Sequence, residues 1–312
     1  MPSFWTHASF AEEARQMLSD LSKARMPMGP WSRAILAYPH AFFTGMQGPD
    51  LFFFYPPSAI SPKRLSSLLH TQKVPALLST LFDCARSIPM LVPDSRSCAL
   101  SYACGFLGHY LLDSHTHAFI YAHSGIQLTA KSFCLHNALE ADLSTIAVRR
   151  SLGMEIGQLP RPTSYRLASR ERHTLSRLLA DTIGAVYAID LSPSSIGRAF
   201  RSVDLATGLL YDPDCRKASR AKRIERLWGR PYLSPLFLGE SHYYPDPANL
   251  SHRLWIDPYT GRRSHADFWE LYDSALGRFL PIIQRLESLT APSSRRLVLE
   301  KLCRRDFHGK PI

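Results

Sequence analysis

The chain has 312 residues, of which 45% are hydrophobic and 20% are charged, and its 16 Gly and 23 Pro are close to the usual share for globular proteins. This composition excludes a disordered chain, a collagen-like repeat and a small disulfide-rich scaffold. The 37 Lys and Arg against 26 Asp and Glu give a net charge of +11, which suggests an anionic partner or a role in solubility alone.

Helical periodicity accounts for most of the chain. A first helix is predicted over 8–24, and a turn-rich region with an aromatic run at 52–55 follows over 26–64. Further helices are predicted over 62–87, 95–122, 132–152, 165–190, 193–211, 215–228 and 264–290. No segment shows sustained apolar–polar alternation or an Asn-Gly or Asp-Gly turn. We therefore predict an all-α fold, a single compact multi-helix domain over 1–312 with long loops, and we interpret the arginines near 293–305 as a solvated end.

The compartment is predicted from the first residues and the cysteines. The chain begins Met-Pro-Ser-Phe-Trp-Thr-His and lacks the pattern of a secretory signal. Its six Cys form no CxxC pair, which favours reduced thiols in a cytoplasmic protein. The most apolar long window, 99–122, contains three His and one Asp that would be costly in a bilayer, so we predict no transmembrane segment.

Two polar motifs lie on predicted helices. His109, Asp113 and His117 are spaced four residues apart, and His136 and Glu140 repeat that spacing. Residues four apart share one helix face, and two helices carrying imidazole and carboxylate groups can enclose a metal cluster. Such nitrogen and oxygen ligands suit zinc, with manganese, iron and nickel as alternatives.

A structural explanation of these motifs competes with a metal site. A single His–carboxylate pair on a helix is usually a surface ion pair. Here both motifs fall within residues 109–140, and the first lies in an apolar helix where uncompensated polar groups are costly to bury. The spacing alone leaves both a metal site and a buried ion-pair network open.

The order of the motifs resembles that of the zinc-dependent phospholipase C family, a superfamily of bacterial phospholipases C and zinc-dependent single-strand nucleases. The features that carry the resemblance are Thr6-His7-x-x-Phe10, Gln47-Gly48-Pro49-Asp50-Leu51-Phe52-Phe53-Phe54, His70, Gly105-Phe-Leu-Gly-His109-x3-Asp113-x3-His117 and His136-x3-Glu140. They cover 1–150, and a weaker similarity near 252–275 includes His252 and Trp255. We therefore divide the single domain into a recognisable metal-binding half, 1–150, and a divergent basic helical half, 151–312.

The resemblance implies a cluster of two or three zinc ions enclosed by helices. One zinc would be held by His70, His109 and Asp113, and a second by His117, His136 and Glu140. Asp113 would also bridge to a third zinc, for which His7 would be a ligand. Asp50 matches the acidic residue that either binds the cluster or orients the attacking water as general base. His115, turned away from this face, is interpreted as a packing residue.

The start of the chain departs from the family pattern. Secreted members complete the third zinc site with the amine and carbonyl of a mature N-terminal Trp, whereas this chain begins Met-Pro. Either the third site is absent or completed by water, or Met1 is removed and the amine of Pro2 supplies the nitrogen.

The expected activity is that of a metal-dependent phosphodiester hydrolase of the phospholipase C type. It would use in-line attack by a zinc-bound hydroxide, with Asp50 accepting or orienting the proton. Phe53 and Tyr55 are candidate substrate residues, because aromatic faces bind a quaternary ammonium group or a nucleobase, although core packing explains the same cluster. The expected substrate is a phospholipid or another phosphodiester.

The basic segment 216–230 is the other candidate contact. It holds seven cationic residues, one acid and Trp228, and it would be a solvated helix face or would contact an anionic membrane surface or, as a weaker alternative, nucleic acid. Two alternative functions remain open: a nuclease or phosphatase on the same zinc framework, and a non-catalytic helical metal-binding module that contacts anionic surfaces. Of the net charge, +3 lies in 1–150 and +8 in 151–312.

Overall fold

The computed structural model describes residues 4–54, 62–89, 93–126, 129–161, 166–227 and 229–312, and it confirms the all-α fold. Its α-helices are α1 Phe4–Lys23, α2 Pro30–Ala37, α3 Pro39–Gly45, α4 Pro62–Thr71, α5 Val74–Ser87, α6 Pro93–Ser124, α7 Ala130–Leu152, α8 Ser169–Tyr187, α9 Pro193–Leu210, α10 Arg216–Glu225, α11 Phe268–Ser288 and α12 Pro292–Leu302. Short 3₁₀ helices cover Gly48–Phe54, Ile156–Gln158 and Ser234–Leu236. One antiparallel hairpin pairs β1 Trp255–Ile256 with β2 Arg263–Ser264.

Helix α6 is the centre of the molecule. It has 32 residues, which at 1.5 Å per residue makes it about 48 Å long. Helices α1, α2, α3, α5, α7, α8 and α11 all pack against it. Its middle section is buried on nearly every side, and this explains why its apolar residues are distributed around the helix rather than along one stripe.

Two glycines allow α3 to lie directly on α6. A Cβ atom at Gly45 would lie 2.2 Å from the Tyr102 carbonyl oxygen, and one at Gly105 would lie 2.2 Å from the Phe42 carbonyl oxygen. Only backbones without side chains at these positions can approach so closely. The contact brings the residues just after α3, Met46 to Asp50, next to the middle of α6.

The structure differs from the sequence prediction in several places. The region predicted as turn-rich contains α2, α3 and the first 3₁₀ helix, since Pro30 and Pro39 begin helices rather than end them. The helix predicted over 62–87 is two helices, interrupted at Lys73, whose φ is +51°. The segment interpreted as a solvated end contains α12, in which the side chain of Arg295 is buried and donates to Asp83. The hairpin of two-residue strands was not predicted.

The last residues fold back onto α6. The Tyr110 hydroxyl donates to the Arg305 carbonyl oxygen, and the Phe307 amide donates to the His70 carbonyl oxygen. Gly309, with φ +77°, lies against α6 where a Cβ would be 3.2 Å from the Ala118 nitrogen. We call this segment, 304–312, the C-terminal tail.

Two sequence expectations concern the compartment. Within the described residues, no helix is long and apolar enough to cross a membrane. The six cysteines are free thiols. The cytoplasmic location stays a prediction.

Candidate metal centre

The eight residues expected to bind metal come from five elements. His7 is on α1, Asp50 on the first 3₁₀ helix, and His70 at the end of α4. Helix α6 supplies the series at spacing four, and α7 supplies His136 and Glu140. The fold brings all eight together at one side of α6, because α1, α3, α7 and the first 3₁₀ helix contact α6 and α4 packs on that 3₁₀ helix.

Three sets of these side chains converge. Within each set the ligand atoms lie within 4.8 Å of one another, and the sets are His7, His109, Asp113; Asp50, His70, His109; and His117, His136, Glu140. His109 belongs to two sets, and the Asp113 Oδ1 atom lies 3.5 Å from the His117 Nδ1 atom, so the sets form one continuous cluster.

The two oxygens of Asp113 face different histidines. Its Oδ1 atom lies 3.2 Å from the His7 Nε2 atom, and its Oδ2 atom lies 3.0 Å from the His109 Nε2 atom. This is the arrangement of a carboxylate that can bridge two ions. In one respect the sets differ from the resemblance: Asp50, rather than Asp113, completes the set with His70 and His109, since the His70 Nε2 atom lies 3.3 Å from the Asp50 Oδ1 atom.

Backbone carbonyl groups orient three of the rings. The Nδ1 atoms of His109, His70 and His117 lie 2.9, 2.8 and 3.3 Å from the carbonyl oxygens of Met46, Ser66 and Asp113. A ring that donates its Nδ1 proton to a carbonyl oxygen presents Nε2 as the free lone pair, which is the usual support of a metal-binding histidine. The ring of His109 is further fixed by stacking on His7, with 4.2 Å between the centroids.

Gly48 makes the position of His109 possible. Its φ is +47°, and a Cβ atom there would lie 2.5 Å from the Cδ2 atom of His109. Glycine is the residue that tolerates both the left-handed backbone and the close approach.

The three carboxylates are held as anions. Burial alone would raise the pKa of each carboxyl group, but the neighbouring histidines outweigh this effect. His70 lowers the pKa of Asp50, and His136 lowers the pKa of Glu140 to about 2. The pKa of Asp113 is lowered by His109 and His117. Ionised carboxylates are the protonation state that binds metal, whereas Asp113 outweighs burial and raises the pKa of His109 to about 9, so this ring must lose a proton when an ion binds.

The donor set fits zinc. Two buried ring nitrogens, His7 Nδ1 and His136 Nδ1, have no hydrogen-bond partner among the described residues, and the His109 Nε2 atom has the Asp113 carboxylate beside it at 3.0 Å. Leaving such an atom unpaired costs about 1–3 kcal/mol, and a bound cation at the ring would offset that cost. Imidazole nitrogen and carboxylate oxygen are common zinc ligands. A space of about 10 Å³, about the size of one ion or water, lies between His7, Asp113, His117 and Glu140.

A cleft of about 430 Å³ opens onto the cluster. It is lined by Asp50, Phe53, Ser67, His70, Asp113, His117, Tyr121, Phe133, His136, Asn137, Glu140, Leu236 and His308. Sequence reasoning did not find Tyr121, Asn137 or His308. Tyr121 lies four residues after His117, and Asn137 directly follows His136, so both could have been found from their positions beside the metal motifs. No motif in the sequence lies near His308.

His308 enters the cleft from the C-terminal tail. Its ring stacks on His70 with 5.4 Å between the centroids, and its Nδ1 atom lies 2.7 Å from the Tyr121 hydroxyl oxygen. Both its backbone amide and that of Lys310 donate to Asp306. Burial, with His70 and His117 nearby, lowers the pKa of His308 to about 3, so the ring is neutral. His308 belongs to none of the three sets.

The remaining candidates lie as follows. The Phe53 side chain is 47% exposed and lines the cleft, while Leu51 and Phe52 are buried. Tyr55, Pro2 and Trp228 lie outside the described residues. His115 turns away from the cluster, and its Nδ1 atom lies 2.7 Å from the Leu111 carbonyl oxygen.

A fourth group, His252, Asp267 and Glu270, lies apart from the cluster. Asp267 and Glu270 form the capping box of α11, in which each side chain accepts a backbone N–H of the other. The capping role accounts for these two residues.

Comparison with known proteins agrees with this site. The family model described as zinc dependent phospholipase C matches residues 6–185, which is 180 of 312 residues. No curated protein and no solved structure shows a significant match. The matched segment contains all eight residues of the cluster, and it ends before the C-terminal tail. The chain therefore belongs to the zinc-dependent phospholipase C family.

Proposed function

We propose that the protein is a zinc-dependent hydrolase that cleaves a phosphodiester bond of a phospholipid. The observation that supports this most is the continuous cluster: three sets of nitrogen and oxygen ligands, joined through His109 and Asp113, at one end of a cleft of about 430 Å³. A cleft of this volume holds a small ligand or a lipid head group.

The eight cluster residues would hold two or three ions. Zinc ions bound there would polarise the phosphate group and make a bound water acidic near neutral pH. The chain's own contribution is to fix the ligands: α6 and α7 present their side chains from rigid helices, and Asp113 faces two sets at once.

Asp50 is the proposed general base. Its side chain is 15% exposed, against 5% for Asp113 and 6% for Glu140, so it is the most exposed carboxylate of the cluster. His70 holds one of its oxygens at 3.3 Å, which leaves the other free to accept a proton from the attacking water or to orient that water.

His308 and Asn137 are the proposed phosphate-orienting donors. The Tyr121 hydroxyl, removed from water, needs an acceptor, and the Nδ1 atom of His308 is that acceptor at 2.7 Å. The neutral ring then carries its proton on Nε2, the polar atom left to donate to a substrate oxygen. The buried Nδ2 atom of Asn137 has no hydrogen-bond partner among the described residues and offers a second donor.

The apolar residues of the cleft would contact the head group or the glyceride carbons of the substrate. Phe53 and Phe133 are 47% and 37% exposed, and Leu236 lies beside them in the cleft. An exposed phenyl ring can contact a quaternary ammonium group or glyceride carbons.

Helix α10 is the proposed contact with an anionic membrane. Ala218, Ala221 and Glu225 are its buried face. The outer face carries exposed cations, Arg216, Lys217, Arg220, Arg223 and Arg226. Beside them Ile224 and Leu227 are 55% and 83% exposed. Basic and apolar side chains on one surface are typical of a helix that lies at a membrane interface.

A substrate panel tests the proposal. Purified protein is assayed on phosphatidylcholine vesicles, a chromogenic phosphocholine ester, a bis-aryl phosphodiester, an aryl phosphomonoester and single-stranded DNA, with zinc measured in the same preparation. We expect at least two zinc ions per chain and fastest hydrolysis of the phosphocholine substrates. His109→Ala, which removes the ligand shared by two sets, should abolish both zinc and activity.

Other outcomes would overturn the proposal. Preferred cleavage of DNA or of the phosphomonoester would show a nuclease or phosphatase on the same framework. Zinc without any hydrolysis would show a metal-binding module. Activity that survives His109→Ala would come from another site or from a contaminant.

A further inference from the structure

A second cavity, of about 660 Å³, lies on a different face of α6 from the metal centre. On α6 it is lined by His115 and by Tyr110, Ser114 and Ala118, and each of these last three comes one residue after a cluster residue of the spacing-four series. One residue turns the helix by about 100°, so this face is separate from the metal face. The other walls come from the β1–β2 hairpin, α11, α12 and the C-terminal tail.

The cavity is strongly cationic. Six of its lining residues are basic, Arg262, Arg263, Arg278, Lys301, Arg304 and Arg305, against one acid, Asp257. Asp257 is paired with Arg305 at 3.5 Å. Within the described residues the structure gives no ion-pair partner to the other five, so the cavity carries five uncompensated positive charges.

Such an arrangement concentrates positive charge at one place on the surface. Like charges that face one space repel each other, and the clustered field attracts anions. On a surface chosen only for solubility, acids and bases would be interspersed, as they are on α1, where Arg15 pairs with Glu12 and Lys23 with Asp20. The five cations instead come from the hairpin, α11, α12 and the tail, and they converge on one cavity.

The floor of the cavity is partly apolar. Trp255, Leu271 and Leu302 line it together with Ala118. The Trp255 indole N–H already donates to the Ala266 carbonyl oxygen at 2.9 Å, so the indole offers an apolar face rather than a donor. A cationic rim over such a floor suits a ligand that has an organic body as well as anionic groups.

We propose that this cavity binds an organic phosphate ester that carries at least two phosphate groups. A single phosphate monoester has a charge of roughly −1.5 to −2 at neutral pH, which would leave most of the five cations uncompensated. Two phosphate groups come close to balance, and about 660 Å³ accommodates a sugar or inositol ring between them. The source is either a soluble bisphosphate or the head group of a bisphosphorylated lipid. The site is independent of the proposed hydrolytic function, since it shares no lining residue with the cleft.

Calorimetric titration of the zinc-loaded full chain tests the proposal. The soluble probe is fructose 1,6-bisphosphate, which chelates zinc weakly, with inorganic phosphate as the single-phosphate comparison. The lipid probe is a phosphatidylcholine vesicle containing phosphatidylinositol bisphosphate, compared with a phosphatidylserine vesicle of equal charge. We expect one ligand per chain and preference for the bisphosphate in one of these two arms, which then identifies the source.

A charge-reversal pair locates the binding. Arg278→Glu with Lys301→Glu places two negative charges at the cavity, and both side chains are exposed, so the fold should persist. The matched control, Arg177→Glu with Arg201→Glu, changes the net charge equally at exposed positions that do not line the cavity. The cavity pair should weaken binding by about tenfold or more, because each reversal replaces an attraction with a repulsion, and the control should change it by less than about twofold.

A metal-centre variant separates this site from the cleft. His136→Ala should leave bisphosphate binding unchanged. Loss of binding in His136→Ala, equal losses in the cavity pair and its control, or no preference for two phosphates over one in either arm would each overturn the proposal. The soluble arm does not depend on whether the metal centre hydrolyses a phosphodiester, and the lipid arm is repeated with His109→Ala, which should not hydrolyse the vesicle and therefore reports the heat of binding alone.

Discussion

Among the eight cluster residues, Asp50 differs from the others in its exposure. His109 and Asp113 are enclosed by α6 and its neighbours, whereas Asp50 stands on a 3₁₀ helix at the edge of the cleft. A residue in this position can interact with a water or a substrate as well as with metal. Metal binding and catalysis should therefore be separable at this residue.

Asp50→Asn should keep most of the zinc and lose most of the activity. The amide preserves the size of the side chain but cannot accept a proton, and loss of a general base typically lowers the rate by about 10²–10⁴-fold. Zinc content and kcat are measured on the same sample. Asp20→Asn, at an exposed position on α1, is the control and should behave as the unchanged protein. Full activity of Asp50→Asn would remove this residue from the mechanism.

His308→Phe should raise KM or lower kcat without releasing zinc. Phenylalanine keeps a ring beside His70 but has neither the acceptor for the Tyr121 hydroxyl nor a donor toward the substrate, and a hydrogen bond to a charged group contributes about 1.5–3 kcal/mol, or roughly 10- to 100-fold. Tyr121→Phe removes only the group that orients the ring, so its loss should be smaller. Loss of zinc in His308→Phe would instead identify His308 as a ligand.

At the level of elements, long helices were the most predictable part of the fold. Helices α6, α7 and α9 have long helix-compatible sequences, and their predicted ranges are correct to within a few residues at each end. Helices α2 and α3 have only 8 and 7 residues and begin at prolines, so local sequence makes them look like turns. What stabilises them is packing on α6, including the close contact through Gly45 and Gly105, and such tertiary contacts cannot be read from local propensity.

Gly48→Ala tests how the start of the first 3₁₀ helix supports the metal centre. The substitution adds a Cβ to a left-handed residue, where it would lie 2.5 Å from the ring of His109. Gly153→Ala is the matched control: Gly153 also has positive φ, +62°, but nothing lies within 4 Å of its Cβ position. In both variants the alanine is strained by the left-handed backbone, which lowers the free energy of unfolding by about 1–2 kcal/mol.

Only Gly48→Ala should also displace His109. We expect Gly153→Ala to lose some thermal stability and keep its zinc and activity, and Gly48→Ala to lose zinc and most activity as well. Unfolding temperature, zinc content and hydrolysis of a phosphocholine ester are the measurements. Equal behaviour of the two variants would show that the close approach to His109 has no role in metal binding.

At the level of the whole molecule, the two halves of the sequence contribute unequally to the site. Helical spacing in 1–150 pointed to five of the cluster residues, whereas His7, Asp50 and His70 were predicted only through the order of motifs that resembles the family. His308 and the cationic cavity depend on the C-terminal tail, which reaches α6 from the far end of the chain. Contacts between residues nearly 200 positions apart, such as Tyr110 with Arg305, leave no spacing pattern in the sequence. The excess of positive charge in 151–312 was visible in the composition, but its convergence on one cavity was not.

The metal centre should also stabilise the whole fold. Asp50, Asp113 and Glu140 bring three negative charges into one cluster beside rings whose nitrogens are partly unpaired. Two or three divalent ions would neutralise these carboxylates and satisfy those nitrogens. The ligands come from α1, α4, α6, α7 and the first 3₁₀ helix, so ions that bind all of them join elements from across the first half of the chain. An ion that binds the folded state alone stabilises it by mass action, by about 4 kcal/mol when present at 1,000 times its Kd.

Removal of the metal by a chelator should therefore lower the unfolding temperature. For a chain of this size, about 4 kcal/mol corresponds to a fall on the order of 10 °C. The measurement is a thermal unfolding curve before chelation, after chelation and after zinc is restored, and we expect the last to match the first. In His136→Ala, whose third ligand set is incomplete, the chelator should cause a smaller fall. An unfolding temperature that does not change on chelation, in protein shown by analysis to have lost its zinc, would mean that the cluster stabilises the fold through its own ion pairs and does not depend on metal.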